Sequence, residues 1–279
     1  MGLTLISGLS GGHGLWSGTA GLSGGSGLGG GGSSFDPAAA AYFAAVVAAG
    51  GTISPARQIL YNNLFVSLRS AGVLALLDRL WLLAAENSQS ALIDLVARAT
   101  ATAVNSPTFA TNGYTVNGIT NYIDTGYMPS VNAVMLSQNS AHLSFYCNSG
   151  PAYVGGGDGS SFLQILGTFT DSNMYARINT GNSGAGFATT DTGIFIGDRT
   201  GPAAIVNEHS GVVLGTTTPA SLALGTKSLW IGAYNNNGSF AGASAPARLG
   251  MFSAGASLGA SGRAALENAV GTYMTAVGA

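Results

Sequence analysis

Residues 141–150, AHLSFYCNSG, and residues 192–201, TGIFIGDRTG, decide the fold. Each is a short apolar run closed by Gly, Asn, Ser or Asp, the residues that supply turns. The same texture recurs from about Thr100 onward: YIDTGYMP (122–129), FLQILGTFTDSN (162–173), MYARINTG (174–181), HSGVVLG (209–215), KSLWIGAYNNNG (227–238) and ARLGMFSAG (247–255). Short runs with turn chemistry between them predict an antiparallel β-sandwich or jelly roll over residues 100–279. Within it, Ser261–Val277 returns to helical periodicity, and Leu266, Ala269, Val270, Tyr273, Met274 and Val277 form the face laid against the sandwich.

Upstream, residues 36–99 read as a helical block. Asp36-Pro37 is an N-cap followed by proline at the first helical position, and the Gly50-Gly51 pair ends that helix. Ser54-Pro55 repeats the start signal, and Gly72 stops the second helix. VLALLDRLWLLAAE (73–86) is apolar nearly all round, which predicts a third, mostly buried helix, and SQSALIDLVAR (88–98) predicts a short fourth. Residues 1–35 form an extended arm with fourteen glycines and no formal charge. The expected fold class is therefore α+β: a Gly-rich arm (1–35), a helical collar or oligomerisation block (36–99) and a sandwich closed by a helix (100–279).

Only 7% of the 279 residues are charged, against about 25% in ordinary soluble proteins. So sparse a charge gives little repulsion between copies and suits a protein packed in an assembly, so a homo-oligomer is expected. The net charge is −2 and the nine basic residues are scattered singly, so no phosphate-tracking stripe points to nucleic acid. No run approaches about 18 apolar residues, so no membrane insertion is expected, and the N-terminus lacks the basic start of a secretory signal. The single cysteine, Cys147, sits in a strand-like run and reads as a buried, inert thiol.

The chain offers little for catalysis. Its three glutamates are Glu86, Glu208 and Glu267, and no acidic pair occurs at strand spacing, which argues against a glycosidase. His13, His142 and His209 are isolated, so no zinc spacing appears, and Glu208-His209 reads as a solvated turn. No nucleophile elbow follows a strand; Gly8-Leu9-Ser10-Gly11-Gly12 belongs to the arm. Gly155–Gly159 precedes a strand-like run and reads as a hairpin turn, not an anion cradle. No catalytic or metal residue is assigned. Sugar contact is the remaining chemistry, and Tyr234, Asn235, Asn236, Asn237 and Phe240 have its composition: aromatics to stack, amides to bond hydroxyls.

Three stretches together resemble a family of tailed-phage virion proteins, fibre or structural proteins with a laminin-G or concanavalin-A-like β-sandwich. The first is the Gly/Leu-rich start running through FDPAAAAYFAAVV to residue 95. The second is NGYTVNGITNYIDTGYMPS (112–130) with LSQNSAHLSFYCNS (136–149). The third is ARLGMFSAGASLGASGRAALENAVGTYMTAVGA (247–279). The resemblance implies a virion location, with assembly in the host cytoplasm, and the residues then fit a capsid-surface decoration or head fibre. The alternative is a tail fibre or receptor-binding adhesin recognising a host surface glycan. In that setting Leu3, Leu5, Ile6, Leu9, Leu15, Trp16, Leu22 and Leu28 are the anchor residues that plug apolar pockets of other virion subunits, and the oligomer expected is a trimer. Sandwiches of this kind sometimes hold calcium at a loop rim, for which Asp158, Asp171, Asn173, Asp191 and Asp198 are the oxygen donors; without a DxDxDG spacing no cofactor is assigned.

Overall fold

Asp36 and Ser54 start two helices as their sequence signals require. In a computed structural model, which describes residues 35–181 and 184–279, α1 runs Pro37–Ala48 and α2 runs Pro55–Ser70. The anchor residues between Leu3 and Leu28 lie outside the described residues. The Asp36 carboxylate accepts from the Ala38 N–H at 2.8 Å and from Arg69 at 2.6 and 2.8 Å, tying the start of α1 to the end of α2. That guanidinium and the backbone N–H hold Asp36 below the usual carboxylate range.

The third and fourth helices are corrected. After one 3-10 turn at Leu74–Leu76, residues Leu77–Leu82 form strand β1, antiparallel to the closing strand Ala247–Gly255. Leu80 and Leu82 enter the core beneath the helices, while Trp81 and Leu83 enter the core between the sheets. A strand buried on both faces is apolar all round, just as a buried helix is. Downstream, only α3 (Ser88–Ala91) is helical. There Asp94 takes the Leu80 and Val96 N–H groups at 3.0 and 2.8 Å, and this side-chain bonding replaces the helical ladder.

Two large antiparallel sheets follow, as the short runs predict. In spatial order the first comprises β13 (Val212–Thr217), β12 (Ala204–His209), β11 (Gly193–Gly201), β6 (Ala141–Ser149), β17 (Ala247–Gly255), β4 (Gly113–Val116) and β3 (Thr108–Ala110), with β1 also on β17. The second comprises β10 (Phe187–Ala188), β9 (Asn173–Thr180), β8 (Phe162–Leu166), β7 (Tyr153–Gly157), β14 (Trp230–Ile231), β5 (Tyr122–Asp124) and β2 (Thr102–Val104). A hairpin of β15 (Tyr234–Asn236) and β16 (Ser239–Ala241) adds to β7, and α4 (Pro129–Asn132) is a single turn.

Leu143, Phe145 and Cys147 of β6 point between the sheets, where Phe145 stacks on Phe195 at 4.7 Å. On the opposite side Tyr146, Ile194, Ile196 and Met251 meet α1, α2 and α5 (Gly259–Val277). The predicted face of α5 is buried at Leu266, Ala269, Val270, Tyr273 and Met274. Burial pushes the Cys147 thiol up to about 12, consistent with an unreactive core residue.

The helix-facing side of the first sheet also holds polar groups. Asp198 and Glu208, expected in loops, are buried strand residues of β11 and β12. Arg263 of α5 donates to Asp198 at 2.9 Å and to Glu208 at 2.7 Å, and Asp198 also accepts from the Leu258 and Gly259 N–H groups. The sequence pattern hid this because the counter-ion lies 55 residues beyond Glu208. Nearby, buried His142 donates from Nδ1 to the Ala256 carbonyl at 2.6 Å and accepts from Ser253, which bonds Ser144 at 2.6 Å.

Replacing Arg263 with Met leaves two buried carboxylates without their cation and is expected to destabilise by about 3–5 kcal/mol, read from urea denaturation. Burial holds the His142 imidazole below its ordinary pKa. The unfolded chain therefore takes up a proton below about pH 6.5 that the fold resists, and stability falls as pH drops. His142→Asn should shrink the stability loss between pH 7 and pH 5 by about 1–2 kcal/mol.

Candidate functional site

The three long helices cover the first sheet, so the second sheet carries the other outer face. Strand alternation sorts its residues. Val154, Leu163, Ile165, Met174, Ala176 and Ile178 enter the inter-sheet core. Their neighbours face outward in two cross-strand rows, Tyr153–Leu166–Tyr175 and Gly155–Gln164–Arg177.

The outward rows carry a connected aromatic group. Tyr153 packs against Phe169 at 5.9 Å in a stacked arrangement, Phe169 meets Tyr175 edge-on at 5.8 Å, and Tyr234 lies 6.5 Å from Tyr153. Phe169 is 38% exposed, while Tyr153 lies buried. A cleft of about 180 Å³ beside them is lined by Pro151, Tyr153, Thr168, Phe169, Asp191 and Ala243. Burial pushes the Tyr153 phenol up to about 12, so it is neutral and keeps its O–H. Asp171 accepts from the Tyr175 hydroxyl at 2.6 Å, a bond that holds the carboxyl below its ordinary range and the phenol above its own. A second cluster lies along the sheet: Tyr122 stacks on Trp230 at 3.9 Å, with Phe240 5.9 Å from Tyr122.

The sequence-predicted sugar contacts divide between these clusters. The two residues linking β15 and β16, Asn237 and Gly238, have φ of 52° and 93°, the signature of a tight hairpin turn. Pairing of Tyr234 with Ala241 and Asn235 with Phe240 puts Tyr234 and Asn236 on one face and Asn235 and Phe240 on the other. Asn235 is buried and its amide is spent, donating to the Ser228 carbonyl at 3.1 Å and accepting from the Gly238 N–H at 2.7 Å. Asn236 and Asn237 are exposed. Tyr153, Phe169, Tyr175 and Arg177 were not singled out in the sequence; the alternation of Tyr175 and Arg177 in MYARINTG was the only signal.

The calcium donors are dispersed. Asp158 caps the β7–β8 turn by accepting from the Ser160 and Ser161 N–H groups at 3.1 and 3.0 Å. These bonds hold it down to about 2, although burial opposes them. Gly155–Gly157, expected in that turn, are strand residues of β7. Asp171, in the β8–β9 turn, accepts from the N–H of Asn173, which is not a loop residue but the first of β9; Asp191 lines the cleft, and Asp198 belongs to the Arg263 cluster. Among the described residues, no three His, Cys, Asp or Glu side chains group as metal ligands. Asp36, Asp78, Asp94, Asp198 and Glu208 are all buried and bonded to arginine or backbone N–H groups.

No family model matches the chain, and no curated protein matches it. Solved structures of similar fold include domain 4 of AbnA, a GH43 extracellular arabinanase from Geobacillus stearothermophilus, in complex with arabinotriose. It is 14% identical over 65% of this chain and 93% of that one, with a TM-score of 0.46. Trypanosoma rangeli sialidase in complex with 2,3-difluorosialic acid is 9% identical, over 78% of this chain and 40% of that one, with a TM-score of 0.48. The binding domain of botulinum neurotoxin DC in complex with SialylT is 11% identical, over 72% and 51%, with a TM-score of 0.42. This chain thus spans about half or less of the sialidase and toxin chains, and the likeness is one of β-sandwich architecture.

Asn235→Ala removes the amide that pins the hairpin and is expected to cost about 1–3 kcal/mol. The exposed Asn236→Ala should stay within about 0.5 kcal/mol. Chemical denaturation of the two variants checks the difference.

Proposed function

We propose that this chain is a non-catalytic structural and recognition module of a tailed-phage virion, whose sandwich binds glycan on the outer face of the second sheet. The observation that carries the binding reading is the Tyr153–Phe169–Tyr175–Tyr234 group beside a cleft, on the face away from the helices. Aromatic planes flanked by a few polar groups are the usual lining of a sugar site. The engagement of the buried carboxylates in internal bonds supports a role without catalysis. The virion setting rests on the three resembling stretches and on the 7% charged composition.

In that setting the sandwich serves as capsid-surface decoration or head fibre, assembled in the host cytoplasm. The arm residues from Leu3 to Leu28 hold it to other virion subunits, and copies associate as a homo-oligomer, a trimer in the simplest case. The second reading, a tail fibre or adhesin, shares the same glycan-binding face.

Full-length protein applied to an array of bacterial envelope oligosaccharides should bind a subset of them. Phe169→Ala should weaken that binding about tenfold while leaving the melting temperature within a few degrees. Binding to no oligosaccharide overturns the recognition reading. Immunogold label on intact particles should spread over the capsid; label confined to the tail tip moves the assignment to the adhesin, and absence of label sinks the virion setting.

A further inference from the structure

Arg177 stands apart from the other seven arginines. Arg57, Arg69, Arg79, Arg98, Arg199, Arg248 and Arg263 each donate to a carboxylate, carbonyl or hydroxyl of the chain. Arg177 has no hydrogen-bond or ion-pair partner among the described residues, although it is half-buried and its Nε is shut off from solvent. Its guanidinium lies 5.7 Å from the Tyr175 ring. The ionisable groups acting on it are Tyr234 and Tyr175, with no carboxylate among them, and burial lowers its pKa.

Beside it in the same row is a second unanswered group. Gln164 opposes Arg177 across β8 and β9, is fully buried, and has both amide atoms without a partner. A buried amide without hydrogen bonds is destabilising, and a half-buried cation without a counter-charge adds to that. In a native fold such a group is completed by ordered water, an ion or a ligand, or holds strain. The ring beside the Arg177 guanidinium is Tyr175, part of the proposed sugar face.

We propose that Arg177 forms the acidic-sugar subsite of that face, its terminal nitrogens pairing with the carboxylate of a uronic or nonulosonic acid residue while Gln164 lies buried behind it. The inference rests on the glycan-binding reading and adds the class of sugar. A planar guanidinium takes a carboxylate through two parallel charge-assisted bonds, whereas a neutral hydroxyl offers it no counter-charge. Tyr175 and Tyr234 flank the ring that carries the acid.

The test is calorimetric titration of the full-length protein with sialyllactose and trigalacturonate, with lactose, α-1,4-galactotriose and lactose 3′-sulfate as comparisons. A carboxylated sugar should bind at least about tenfold more tightly than its neutral parent. Arg177→Gln should remove that preference without changing affinity for the neutral sugar, and Arg177→Lys should restore part of it. Gln164→Leu should raise the melting temperature, since it deletes two unpartnered buried atoms. Equal binding of acidic and neutral sugars overturns the subsite but leaves the glycan face standing, as does a preference for the sulfated sugar or one that survives Arg177→Gln. Binding of no sugar at all removes both. Melting curves of both Arg177 variants exclude loss of fold as the cause.

Discussion

Burial of the first sheet on both faces is the constraint on which this structure depends. One face meets the second sheet and the other meets α1, α2 and α5, so β1, β6, β11 and β17 have no solvent side on which to place polar residues. Hydrophobic burial is therefore gained twice per strand, but every polar group retained there needs an internal partner. Arg263 between Asp198 and Glu208, and His142 between Ala256 and Ser253, are two such solutions. Asp78 is another: its carboxylate accepts the Tyr127 hydroxyl and the N–H groups of Val134, Met135 and Leu136. A chain with 7% charged residues thus spends much of its charge inside.

This division leaves the two outer surfaces with different tasks. The helical layer completes the core of the first sheet. The second sheet has to satisfy only one core, and its outward rows are free to carry Tyr153, Tyr175 and Arg177, which contribute to neither core cluster. Half-burial of Arg177 without a partner among the described residues fits the proposed recognition face, where stability is given up locally for contacts made to something else.

The sandwich was legible because its runs are short and separated by turn residues, and α5 was legible because its apolar positions recur at three and four. Residues 73–86 were not. Leu77 to Leu83 are apolar except at Asp78 and Arg79, and that pattern is common to a buried helix and a strand between two cores; only the pairing with residues 247–255 decides between them. Asp198 and Glu208 were misplaced for a related reason, since their arginine arrives from a distant helix. Of the sugar-contact residues, composition gathered Tyr234 and Phe240 into one segment, but the pleat sends them to opposite faces. Arg177 carried no mark in the sequence, because the lack of a partner is a property of three dimensions.

The pairing of β1 with β17, and of α2 with α5, joins the first quarter of the described chain to its last. During synthesis the apolar segment Leu77–Leu82 emerges about 170 residues before the strand that covers its edge, at ribosomal rates of roughly 5–20 residues per second. For on the order of ten seconds or more it is an unpaired edge with nothing to bind. Vectorial growth therefore cannot complete this domain piecemeal, and its yield in the cell depends on protecting the nascent N-terminal half until the C-terminal half arrives.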